Sequence, residues 1–218
     1  ERHALMQNVS PYYLNFYGST DGGGATALFW HDPPQASASV GRPVFGAEID
    51  IADEDDRSLP AGEVGRIRYR HPGTASGYHN DAEASREAFR DGWYYPGDLG
   101  WRDGGGFLYL AGRARDMIIR GGVNIYPAEI EHVLSRHGSV VESAVVAWPS
   151  REFGEEIAAF VVTRDNAADP EMLIGWCREK LARYKVPRAI FPIDDLPKSG
   201  VGKVLKADLA ARLKPIGE

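Results

Sequence analysis

Three short stretches carry side chains able to do chemistry. Tyr17-Gly18-Ser19-Thr20-Asp21 sets two hydroxyls, a glycine amide and a carboxylate in a row, after an apolar run. Such a set can hold phosphate and a metal ion, and the tyrosine can stack on a base. The same five residues also read as an ordinary polar turn. In Tyr95-Pro96-Gly97-Asp98 a carboxylate follows a Pro-Gly turn. A fixed carboxylate accepts two hydrogen bonds at once, which suits a vicinal diol such as ribose. The plainer reading is an Asp that stabilises its own turn. Pro197-Lys198-Ser199-Gly200-Val201-Gly202-Lys203 presents a lysine flanked by glycine. An ammonium there can neutralise oxygens that gain charge in a transition state, or it can be a solvated surface lysine on a flexible loop. The stretch is not a Walker A loop, because Val204 stands where Ser or Thr is needed and the first glycine is missing.

These stretches need elements to position them. Tyr12–Tyr17 reads as a buried strand ending at Gly18, with a loop through Gly24. From 39 to 111 short strands alternate with turns. Glu48–Asp53, Gly65–Arg70 and Phe107–Ala111 are candidate strands, with turns at Leu59–Gly62 and Asp103–Gly106. Asp81 caps one intervening helix. The pattern predicts a small, distorted β-barrel-like subdomain followed by an α+β domain. In the second part, Met117–Ile119 is β-prone and Gly121-Gly122 breaks it. Pro127 opens a helix that Gly138 closes. Val140–Trp148, Ile157–Thr163 and Ala189–Ile193 read as strands, and helices follow Asp169-Pro170 and Lys206, the last reaching Leu213. Between the two parts lies the charged joint Arg113, Arg115, Asp116. A run of charge is a poor core and a reasonable hinge.

Composition narrows the function classes. Hydrophobic residues make up 43% of the 218-residue chain, enough for a sizeable core and against disorder. The net charge of −6 argues against a nucleic-acid binder, while leaving room for a small anion held by a few local groups. Cys177 is the single cysteine, so no intrachain disulfide can form and a reducing, cytoplasmic setting is expected. No apolar run reaches membrane-spanning length, so no transmembrane segment is expected. His132, His137 and Glu129 do not share the geometry of a metal site and read as solvated helix positions.

Taken in order, YGSTD, YPGDLG, GRARDMIIRGGVNIYPAEIE and LPKSGVGKVLK resemble the back part of the adenylate-forming (AMP-dependent) acyl-CoA synthetases and ligases. The resemblance runs from about Tyr12 to Lys206 and is most specific over 112–131. It implies a division into a remnant of a larger α/β domain (1–38), a small β-rich subdomain (39–114) and an α+β lid (115–218). It also implies a two-step reaction of a carboxylic acid, ATP and coenzyme A, through acyl-AMP, with Mg²⁺. Carried onto this sequence, Tyr17 and Gly18 lie against the nucleotide base. Ser19 and Thr20 face its phosphates, and Asp21, where relatives usually have Glu, helps hold Mg²⁺. Asp98 and Arg113 hold the ribose hydroxyls. Arg115, where relatives usually have Asp or Lys, is the hinge. Gly121, Gly122 and Asn124 line the thiol path, and Lys203 bridges carboxylate and phosphate oxygens during adenylation.

Relatives extend well upstream, where the Gly/Ser/Thr-rich pyrophosphate loop and most of the acyl pocket lie. The expectation is therefore a C-terminal piece with negligible ligase activity by itself. Two other functions fit the same motifs. One is a peptide-synthetase-like adenylation domain that loads a carrier protein. The other is a lid-like binding domain without chemistry.

Overall fold

In the computed structural model, which describes residues 2–164 and 169–217, the chain divides into two units, Glu1–Ala114 and Arg115–Glu218. The first begins with a short helix, α1 (Arg2–Asn8), and three antiparallel strands, β1 (Leu14–Ser19), β2 (Gly23–Phe29) and β3 (Arg42–Pro43). Here the expected buried strand and open loop are corrected. The strand starts at Leu14 and turns back at once, so Ser19 pairs with Gly23. It is also only half buried. Leu14 and Phe16 are 56% and 58% exposed, whereas Asn15 and Tyr17 point inward. β1 is the edge of its sheet, and a strand with one packed face leaves alternate side chains outside.

The second sheet of this unit has six strands: β4 (Glu48–Ala52), β5 (Gly65–Arg70), β6 (Phe89–Arg90), β7 (Trp93–Tyr94), β8 (Asp98–Arg102) and β9 (Leu108–Arg113). β5 pairs with β4 along one edge and shares its other edge between β7 and β8. The sheet is open, so the expected barrel does not close among the described residues. β6 and β7 are two residues each and carry the ladder no further. Ile49, Ile51, Ile67 and Tyr69 recur at spacing two and form the core with Tyr94 and Leu108. Helix α2 (Ala82–Ala88) starts at Asp81, whose carboxylate accepts from Ala84 N at 3.0 Å.

The second unit is built on one five-stranded sheet: β10 (Ile118–Arg120), β11 (Val123–Ile125), β12 (Val140–Ser150), β13 (Gly154–Thr163) and β14 (Ala189–Pro192), the last parallel to β13. Helices α3 (Pro127–Ser135) and α4 (Pro170–Lys180) cover one face, where Ile130, Leu134, Leu173 and Cys177 pack on Ile118, Val145 and Ile157. On the other face Ala144, Val146 and Phe160 meet Leu196 and Leu209, the latter from α5 (Lys206–Ala210). Two helix ends differ from expectation. α3 stops at Ser135 with Arg136 still helical in φ and ψ, and Gly138 has no positive φ, so it is not the cap. α5 ends at Ala210, as the Leu209 and Ala210 carbonyls accept the tighter i+3 bonds from Arg212 N and Leu213 N just ahead of Pro215. No helix among the described residues is long and apolar enough to cross a membrane.

Candidate functional site

Asp98 is the first residue of β8 and Arg113 the last of β9, and the hairpin register sets them opposite each other. Arg113 Nε lies 2.9 Å from Asp98 Oδ1. A second Arg113 nitrogen donates to Pro96 O at 2.8 Å, so the guanidinium spans the carboxylate and the turn before it. Tyr17, from the other sheet of the unit, donates its hydroxyl to Asp98 Oδ2 at 2.6 Å. Burial first, then the Asp98 carboxylate, push the Tyr17 hydroxyl far above the ordinary phenol value, so it is a neutral donor at any working pH. Three of the expected nucleotide residues thus meet at one carboxylate. Asp98 borders a cleft of about 370 Å³ with Gly97, Tyr78 and Arg90.

The hairpin turn after Tyr17 sits on tyrosines that sequence reasoning passed over. Ser19 Oγ lies 3.1 Å from the Tyr69 hydroxyl and donates to that of Tyr94 at 3.3 Å. Tyr94 in turn donates to Asp21 Oδ2 at 3.2 Å, and Tyr78 reaches the same oxygen at 3.4 Å. Burial raises the Tyr69 hydroxyl above its usual value, and it pushes that of Tyr78 up to about 12. Gly22 is required here by contact: a Cβ would lie 2.3 Å from the Tyr69 hydroxyl and 2.4 Å from Tyr94. The available signal was parity, since Tyr69 shares the inward face of β5 with Ile67. Gly18 lies at a register irregularity opposite Gly24, and Thr20 is exposed at the turn. Among the described residues no three His, Cys, Asp or Glu side chains gather into a metal cage. Asp21 offers a single carboxylate. That is compatible with Mg²⁺, which takes one or two carboxylates and completes its shell with phosphate oxygens and water.

The second unit carries the remaining candidates. Arg115 is its first residue, with an 85% exposed side chain 3.7 Å from Asp116. Gly121 and Gly122 form the two-residue turn between β10 and β11, with φ of +56° and +82°. A hairpin of this length needs positive φ at both places, so glycine is demanded by the turn itself. Asn124 is exposed on β11 opposite Ile119. Lys203 follows a tight turn in which Ser199 N bonds to Lys203 O at 2.8 Å, and the loop is closed by a bridge between Lys198 and Val204. It is thus a well-formed turn rather than a flexible loop. Lys198 pairs with Glu142 at 2.7 Å and Lys206 with Glu131 at 2.7 Å, while Lys203 is in no ion pair among the described residues.

The glycine turn and the lysine turn lie at opposite ends of the β12–β13 hairpin. Gly121 N bonds to Phe153 O, beside the Ser150–Gly154 pair that closes it. The lysine loop is tied to Glu142, near its open end. Eight residue steps along the strand take Glu142 to Ser150, roughly 27 Å at the usual rise.

The order of these groups along the chain is shared with known proteins. The AMP-binding enzyme profile matches residues 2–79, and the AMP-binding enzyme C-terminal domain profile matches residues 129–203. The chain belongs to the AMP-binding enzyme family. A long-chain-fatty-acid–CoA ligase of Salmonella typhimurium is 39% identical over 198 residues, 91% of this chain and 35% of that protein. A 2-succinylbenzoate–CoA ligase of Bacillus cytotoxicus is 41% identical over 97% of this chain and 44% of its own length. The chain therefore spans less than half the length of these relatives. Among solved structures, o-succinylbenzoate CoA synthetase from Bacillus subtilis, with its acyl-adenylate intermediate, superimposes with a TM-score of 0.88 at 32% identity. That match covers 95% of this chain and 43% of the synthetase. The amide bond synthetase McbA from Marinactinospora thermotolerans gives 0.90 at 33% identity, covering 98% of this chain and 44% of McbA.

Proposed function

We propose that this chain supplies the ribose-binding face and the two-ended lid of an ATP-dependent carboxylic acid:CoA ligase. In the first step a carboxylate oxygen attacks the α-phosphorus of ATP, pyrophosphate leaves, and acyl-AMP forms. In the second the CoA thiol attacks the acyl carbon and AMP leaves. Asp98, held by Arg113 and Tyr17, accepts from the ribose hydroxyls. Ser19 and Thr20 face the phosphates, and Asp21 would hold Mg²⁺ together with phosphate oxygens, the ion supplying charge neutralisation. Lys203, in no ion pair among the described residues, is available to bridge carboxylate and phosphate during adenylation. Gly121, Gly122 and Asn124 border the thiol's approach in the second step. Two ends roughly 27 Å apart cannot serve one reaction centre together, which supports their use in turn, with the backbone pivoting at Arg115. The relatives' names support a fatty or aryl acid as substrate. A second reading passes the acyl group to an amine, and the likeness to an amide bond synthetase supports it.

The observation that carries the proposal is the Asp98–Arg113 register pair with the Tyr17 hydroxyl on the same carboxylate. Calorimetric titration of the chain with AMP and with 2′,3′-dideoxy-AMP tests it. The expected result is a preference for AMP of about tenfold or more, abolished by Asp98→Ala. Equal binding of the two nucleotides by the unaltered chain would sink the reading.

A further inference from the structure

We infer that Tyr17 is a positioning residue acting through its hydroxyl, which locks the Asp98 carboxylate in the orientation that recognises a vicinal diol. This rests on the nucleotide reading above and adds a role separate from any contact of the Tyr17 ring with a base.

The argument is one of acceptor counting. An ionised carboxylate has about four acceptor positions in its plane, two on each oxygen. The Tyr17 hydroxyl occupies one on Oδ2, and the Arg113 guanidinium lies against Oδ1 as an ion-pair partner, its Nε 2.9 Å away. At least one position remains on each oxygen, which suits the two hydroxyl donors of a cis-diol. Arg113 alone pins one oxygen and leaves the carboxylate free to turn about its last bond. With Tyr17 as well, both oxygens are fixed. The two partners come from different places: Arg113 from the neighbouring strand of the same sheet, Tyr17 from the edge strand of the other sheet. The Asp98 side chain is 14% exposed, so little water competes for these contacts. At 2.6 Å the Tyr17 bond has the length of a charge-assisted one. Tyr17 itself cannot slide along β1, because its ring packs edge-on against the buried Tyr69 at 6.4 Å between centroids.

The test compares AMP with 2′,3′-dideoxy-AMP on the unaltered chain, on Tyr17→Phe and on Tyr17→4-aminophenylalanine, which restores an aromatic N–H donor. The expected outcome is that Tyr17→Phe weakens AMP about tenfold and leaves dideoxy-AMP unchanged, so the preference collapses. The amino variant should recover most of it. A purely structural role would weaken both nucleotides together, and that result overturns the inference. So does a preference that Tyr17→Phe leaves intact. If the unaltered chain shows no preference, the nucleotide reading itself fails and the inference falls with it, which distinguishes the two failures. Should Tyr17→Phe not fold, judged by near-ultraviolet circular dichroism, the amino variant decides alone. Retained preference supports the inference and lost preference overturns it.

Discussion

At the scale of single residues, what separates a working side chain from its neighbours is whether the fold already employs it. Three lysines lie within a nine-residue stretch, Lys198 and Lys203 in the loop before α5 and Lys206 at its start. Glu142 and Asp195 hold Lys198, and hydrogen bonding to Glu142 raises its ammonium above the ordinary lysine value. Glu131 holds Lys206. Lys203 has no such partner among the described residues, so its charge is free to meet a ligand. In a protein carrying this chain within the full length of its relatives, Lys203→Ala should cut pyrophosphate–ATP exchange on the order of 10²-fold. Thioester formation from supplied acyl-adenylate should change only a few-fold, and the melting temperature should not move. Lys198→Ala should do the reverse, sparing exchange and lowering the melting temperature. Equal loss in both half-reactions for Lys203→Ala would remove it from the adenylation step. The lysine was legible in the sequence as a type at a spacing. That its neighbours and not it are paired among the described residues was not, because Glu142 and Glu131 lie some sixty residues or more away.

At the scale of elements, strands rich in β-branched residues announced themselves. Gly65–Arg70 has the expected bounds, and β12 and β13 extend theirs at one end. The strands that escaped, β2 and β8 among them, are glycine-bearing or polar and exist because a partner pairs with them. β8 reads Asp-Leu-Gly-Trp-Arg, with nothing periodic to mark it. Yet the turn expected at Asp103–Gly106 lies midway between Asp98 and Arg113, so the register that joins them was implicit once β8 was granted. The tyrosine network was illegible for another reason, since Ser19 belongs to one sheet and Tyr69 and Tyr94 to the other. β4 and β5 hold the most buried ion pair of this unit, Asp50 opposite Arg68, with two guanidinium nitrogens at 2.9 and 2.6 Å from one oxygen. Burial pushes the Asp50 carboxyl up, but hydrogen bonds from Ser58 and Arg68 outweigh it and leave the carboxyl below its usual range. A depressed folded-state value means the contribution is fully present above the unfolded value, about 3.9, and is lost as pH falls through the folded value. Asp50→Asn should therefore destabilise this unit by about 3 kcal/mol near neutrality. The gap between variant and parent should close as pH drops below about 4. Urea unfolding monitored by tryptophan fluorescence across that range measures it, and a gap independent of pH would deny the pair its role.

At the scale of the whole molecule, the boundary between the two units falls inside the charged joint, between Ala114 and Arg115. The backbone there is a single short 3-10 turn, Ala114–Asp116, and its first residue is anchored by Ala114 N to Gly97 O at 2.9 Å. Anchoring stops one residue before Arg115, whose side chain is almost fully solvated. A pivot needs a few residues able to change φ and ψ without tearing a core, and this joint buries no side chain. Proline at this position makes a direct test. It fixes φ near −65° and biases Ala114 away from helical geometry, while the exposed arginine loses only a weak contact with Asp116. If the lysine and glycine ends of the second unit take turns at one reaction centre, Arg115→Pro should hold the protein in one arrangement. In a protein with the relatives' full length, one half-reaction should then persist within a few-fold and the other should fall by about tenfold or more. Both are measurable on one preparation, by pyrophosphate exchange and by thioester formation from supplied acyl-adenylate. Two half-reactions at their parent rates would mean that the lid does not turn at Arg115, and the opposite placement of the lysine and glycine turns would need another cause.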